Sequence, residues 1–216
     1  MENKFERGYG TSLIAGSLLM VVTMVLHPAG GSLEHLYKIT TLIIITHSLA
    51  LVSLPFSLLG FWGLRKRLEK QKLLSNAGFV TMALGIFAVM CAAATNGIAL
   101  PLFINHFRNA TPGTIESIKL IIIYNTSLNQ AFDFIYIGAA CGSVLLWSVA
   151  ILKTGSFPKW IGHYGIILTL FTIIALIAGF VFVNLAGFRI FILGFVSWIV
   201  IIGINLSKPL IITSPS

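Results

Sequence analysis

Apolar residues run along this chain in six long blocks, separated by short polar or basic clusters. The blocks cover about Thr11 to His27, Ile39 to Leu64, Ser75 to Ile104, Ile115 to Leu152, Trp160 to Val183 and Phe188 to Leu206. An apolar run of roughly eighteen residues or more can cross a bilayer as a helix. Strand-like alternation is absent, which argues against an outer-membrane barrel. The pattern predicts an all-α, polytopic transmembrane helix bundle: one domain over residues 1–216, with six spans and no second domain, long linker or clear repeat.

The breaks between blocks carry helix punctuation. Pro28, Gly30 and Gly31 end the first, and Ser32 reads as the N-cap of the next helix. Pro55 lies inside the second span, where it should kink the helix and free a carbonyl. In the third span Gly78, Thr81, Gly85, Ala88, Ala92, Thr95 and Ala99 form a stripe of small residues at helical spacing, which invites close approach by another helix. Thr111-Pro112 reads as the start of the fourth helix, which runs without a proline from Ile115 to Leu152. Ser207 to Ser216 reads as a tail. No small-residue cleavage pattern follows the first apolar block, so it reads as a span and not as a leader.

Composition sharpens this picture. Mean hydropathy is +0.97, and only 9% of the residues are charged, too few to coat a water-soluble surface. The net charge of +8 could suggest nucleic acid, but the basic residues sit between spans, so no nucleic-acid partner is expected. With both termini inside, the inner segments hold Lys4, Arg7, Arg65, Lys66, Arg67, Lys70, Lys72, Lys153, Lys159 and Lys208. The outer segments hold only Lys38, Arg108, Lys119 and Arg189. This bias predicts N-in and C-in. The loop from Arg65 to Lys72 is expected to lie solvated against anionic headgroups, and Trp160, His163 and Tyr164 to anchor the inner interface. Cys91 and Cys141 fall inside spans and read as packing residues.

Candidate chemistry emerges when depth is measured from the basic inner ends at about 1.5 Å per residue. His27, His47, Asn96, Asp133 and Arg189 then lie roughly 27–31 Å from their own inner ends, near the outer edge of a hydrocarbon layer about 30 Å thick. Asp133 is the only aspartate in the chain, and Asn125, Asn129 and Asp133 share one helix face at four-residue steps. These residues predict an outward-facing polar pocket built from Asp133, Asn129, Asn125, Asn96, His47 and Arg189. Asp133 would be its charged anchor and Arg189 the bidentate partner of that anchor. The alternative is inter-helix hydrogen bonding that only sets register.

A second constellation is His27, Glu34, His35, His47 and His106, imidazoles and a carboxylate that would suit zinc. Its spacing matches no metal motif. Haem is not expected, because only His47 lies well inside a span and no second histidine faces it at the same depth on spans 3 to 6. Ser48 beside His47 is no nucleophile–base pair, since adjacent helical residues point apart.

The stretch Gly155-Ser156-Phe157-Pro158-Lys159-Trp160-Ile161-Gly162, followed by a last span with Ser197-Trp198 and Gly203, resembles a family of small bacterial polytopic membrane proteins that form a domain of unknown function. The likeness covers roughly residues 150–205 and implies the topology alone. The chain is therefore expected in the cytoplasmic membrane of a bacterium, among lipids. Binding or transport of a small molecule or lipid headgroup is the leading function. The alternatives are a metal-dependent intramembrane hydrolase and a structural or accessory subunit without a ligand.

Overall fold

The structure, a computed structural model, describes residues 2–208, with side chains from Arg7 onward. Every element is helical. The order is α1 (Glu2–Leu26), α2 (Leu33–Arg67), a 3-10 turn (Glu69–Gln71), α3 (Lys72–Ala92), a π-helical turn (Ala93–Ala99), α4 (Leu100–His106), α5 (Pro112–Thr154), α6 (Lys159–Ile177) and α7 (Leu185–Leu206). Since α3, the π turn and α4 run on without a break, six helical stretches are long and apolar enough to cross a membrane. That is the composition and architecture of a multi-pass membrane protein.

The ends are set by local chemistry. Ser32 Oγ accepts from the His35 amide at 3.3 Å and starts α2. Gly155, at φ 65°, takes the left-handed conformation that closes α5. The fifth span stops earlier than its apolar run suggests, at Ile177 and not near Val183. Gly179 is left-handed there (φ 87°), and the Phe180 amide reaches back to the Ala175 carbonyl. This turn buries Phe182 against Phe191 in the core. Pro55 leaves α2 continuous over 35 residues.

Side chains between the helices are small wherever backbones approach. On α2, a Cβ at Gly60 or Gly63 would strike Leu13 or Tyr9 of α1, and Gly16 of α1 would strike Ser57. The small stripe of α3 meets α5: a Cβ on Gly78 would lie 2.7 Å from Trp147 Nε1, and one on Gly85 2.8 Å from Ala139 Cβ. In lipid, where apolar surface gains nothing by leaving hydrocarbon, such close packing is what holds helices together. Trp147 is the centre of the half of the bundle in which α5 ends. It stacks on Phe61 at 5.2 Å and on Trp198 at 6.4 Å, and its indole N–H donates to the Ser75 carbonyl.

Two inner-end expectations change. Arg67 is buried, not solvated: its Nη2 donates to the Leu206 and Lys208 carbonyls, so it caps the C-terminal end of α7. Tyr164 turns inward to Ser197, while Trp160 and His163 stay exposed. The tail from residue 209 lies outside the described residues.

At the opposite end the helices are unequal. At about 1.5 Å per residue, the 43 residues of α5 make a rod roughly 64 Å long, against a hydrocarbon thickness of about 30 Å. Its first turns pack with α2 and α4 around a second small core of Leu36, Ile43, Ile104 and Ile118.

The close contacts make a testable contrast. Gly60→Ala drives a methyl into Leu13, whose backbone N would be 2.9 Å away, and should cost roughly 1–3 kcal/mol as overpacking. Gly138→Ala, with nothing within 4 Å, should leave thermal unfolding of the detergent-purified protein unchanged.

Candidate functional site

The polar residues converge where the third span widens. Pro101, near the start of α4, cannot donate to the Gly97 carbonyl one turn earlier, and its ring crowds that carbonyl. The backbone accommodates this with the π turn over Ala93–Ala99, a deviation that recurs at functional sites. The turn places Gly97 against His47 of α2, so close that any Cβ at 97 would collide with the imidazole. It also carries Asn96, whose Oδ1 accepts from Asn125 Nδ2 of α5 at 2.9 Å.

Around this turn lies a cavity of ≈ 180 Å³. Helices α1, α2, α3 with its π turn, α5 and α7 all contribute to its wall, as does the α6–α7 connection. Of the pocket candidates, Asp133, Asn129, Asn96 and His47 line it. Asn125 does not, and instead holds Asn96 in place. The wall also takes in Thr23, His27, Ser53, Tyr136 and Asn184.

Asp133 is 7% exposed. Its Oδ2 accepts from Asn129 Nδ2 at 2.8 Å, one turn earlier on α5, and this is its only hydrogen bond among the described residues. The expected pairing with Arg189 is not made. Arg189 sits at the foreseen level but donates from Nε to the Met24 carbonyl (3.0 Å) and from Nη2 to the His27 carbonyl (2.8 Å). The orphan carbonyls at the end of α1, which carry the partial negative charge of a helix C-terminus, take its donors instead. Among the described residues the one ion pair is Lys38–Glu34, on the exposed start of α2.

The two histidines of the wall are held alike. His47 Nδ1 donates to the Ile43 carbonyl at 2.8 Å, and His27 Nδ1 to the Pro28 carbonyl at 3.0 Å. Each bond fixes the proton on Nδ1 and leaves Nε2 as the lone-pair nitrogen of the neutral ring. The rings meet edge to face at 4.9 Å. Thr23 Oγ1, on a residue 2% exposed, has no hydrogen-bond partner, and neither does the Tyr136 hydroxyl among the described residues. In the same region Ser53 satisfies itself by donating to the Ala50 carbonyl.

The five-residue metal constellation does not assemble. His27 and His47 come together, but Glu34 is paired with Lys38, His35 is exposed beside its N-cap, and His106 lies exposed against Phe107. No group of three or more His, Cys, Asp or Glu side chains among the described residues could hold a metal ion. Cys91 and Cys141 are free thiols.

Tyr136 was open to detection, since it follows Asp133 by three residues on the same face. Thr23 was not, because a threonine in an apolar helix ordinarily bonds its own preceding turn. No known protein family, curated protein or solved structure matches the chain.

If the π turn positions the wall, Gly97→Ala should push His47 off the Ile43 carbonyl. The melting temperature of the purified protein should fall by the equivalent of roughly 1–3 kcal/mol, the cost of overpacking.

Proposed function

We propose that the protein lies N-in and C-in across the cytoplasmic membrane of a bacterium and binds a small molecule or a lipid headgroup in the cavity around Asp133. The observation that carries this reading is a buried carboxylate that lines an open space and has no cationic partner among the described residues. Inside a helix bundle such a group is expensive, and it persists where water or a ligand completes it. The excess of basic residues at the inner ends puts the cavity at the outer face, near the headgroup level. The π turn and Pro55, both beside the wall, are places where helices can shift to admit or release the occupant.

The hydrolase alternative finds no support, because its ligands are dispersed. The accessory-subunit alternative draws on a different observation. Leu120, Ile121, Ile123 and Tyr124 are exposed on the stretch of α5 that overhangs the hydrocarbon, as a partner subunit would require.

Topology is checked by thiol labelling in whole cells, in a Cys91→Ala/Cys141→Ala background. Ser53→Cys in the cavity should react with a membrane-impermeant reagent added outside, and Lys70→Cys only after permeabilisation. The reverse pattern would place the cavity on the inner side and end this reading.

A further inference from the structure

The chemistry of the cavity wall narrows its occupant, given the reading that the cavity is a ligand site. We infer that it takes a primary ammonium group, carried by a small free amine or by the ethanolamine headgroup of a lipid.

The wall presents acceptors and a single formal negative charge. Asp133 keeps Oδ1 without any partner among the described residues, because Asn129 occupies only Oδ2. His47 and His27, both residues of the cavity wall, spend their Nδ1 protons on backbone carbonyls, which leaves Nε2 as the acceptor of each neutral ring. The Thr23 hydroxyl is buried and unpartnered on the same wall. An ammonium group offers three donors in freely rotating directions and a compact charge, which answers several acceptors converging from different helices. Its charge also supplies the counter-ion that no described residue provides.

Two other classes of occupant fit less well. An anion would meet Asp133, while the one nearby guanidinium, Arg189, is committed to the carbonyls of α1 and does not line the cavity. A metal ion lacks a set of three ligating side chains. The remaining wall is apolar, including Met20, Met24, Phe188 and Ile192, and suits the carbon chain of an amine. Methionine sulfur and the Tyr136 ring are favourable neighbours for an alkylammonium.

The test uses n-butylammonium chloride, with n-butanol and sodium butyrate as probes of equal chain length. The full chain is placed in nanodiscs of phosphatidylcholine and phosphatidylglycerol. Thr23→Cys in the Cys91→Ala/Cys141→Ala background reports occupancy by its rate of maleimide labelling. Thermal unfolding of the unmodified chain, and of Asp133→Asn, reports it independently should the cysteine variant fold poorly.

Butylammonium should slow the labelling and raise the melting temperature, while butanol and butyrate do neither. Asp133→Asn should weaken the butylammonium response roughly tenfold or more, as the loss of a charge-assisted hydrogen bond implies. Replacing phosphatidylcholine with phosphatidylethanolamine separates the two sources. If the headgroup is the occupant, this lipid alone protects position 23 and blunts the added amine; if a free amine is, the lipid changes nothing.

Protection by butyrate, equal protection by butanol, or a response unaffected by Asp133→Asn would overturn the ammonium assignment. A well-folded Thr23→Cys protein that labels readily but gains nothing from butylammonium, in labelling or in melting temperature, overturns the assignment while leaving the cavity in place. A Thr23→Cys site that is unreactive without any amine, in a folded protein showing no thermal response, overturns the cavity reading as well.

Discussion

Close approach of helix backbones is the constraint on which the rest of this structure depends. With apolar residues on nearly every face, no helix is told by hydrophobicity alone which neighbour to choose. The choice is made by size. Glycines of α2 accept Leu13 and Tyr9 of α1, Gly78 accepts Trp147, and Gly165 lies 2.7 Å, as a built Cβ, from Trp198 Nε1. These contacts fix the half of the bundle in which α5 ends as a close-packed aromatic block around Trp147. Farther out the third span swells into its π turn, and there the bundle opens. Tight packing at one level and the cavity at the next are two outcomes of the same small-residue stripe.

That arrangement governs how polar groups are satisfied. Most hydroxyls in the bundle bond a carbonyl of their own preceding turn, as Thr46, Ser57, Thr95 and Ser143 do. They cost little and position little. Other groups reach between helices, among them Ser12 to Phe56, Trp147 to Ser75, Tyr164 to Ser197, Asn125 to Asn96, Arg67 to the end of α7, and Arg189 to the end of α1. Both arginines answer the same demand, the carbonyls left over where a helix stops. Asp133 stands apart because its one bond comes from its own helix.

Much of this was legible in the residues. The six apolar blocks marked the helices, and the small stripe of the third span foretold a close helix contact, whose partner is α5. Counting residues from the basic ends placed His27, His47, Asn96 and Asp133 at one level, and these four side chains line one cavity. The count gave height but not azimuth, so it could not tell that Arg189 points to α1 and away from Asp133. The π turn left no clear mark either. Pro101 does not announce it, because the widened turn that accommodates the proline is a response of several neighbours and not a preference of one residue. His35, His106 and Glu34 shared a sidedness with the other histidines but not a location, which pattern alone cannot separate. The early end of α6 at Ile177 follows from Gly179 taking the left-handed conformation, within an apolar run that otherwise looks continuous.

The length of α5 has a mechanical corollary. Its last third is gripped by Trp147 between Phe61 and Trp198, while the helix as a whole is about twice as long as a hydrocarbon layer is thick. A rigid rod about 64 Å long, pivoting by only 5° or so about that grip, sweeps its far tip through several ångströms. Asp133 and Asn129 lie along the rod between pivot and tip, so they travel by an intermediate amount. A shift of one or two ångströms at the carboxylate, such as a ligand can impose, would thus be magnified at the far end of the rod.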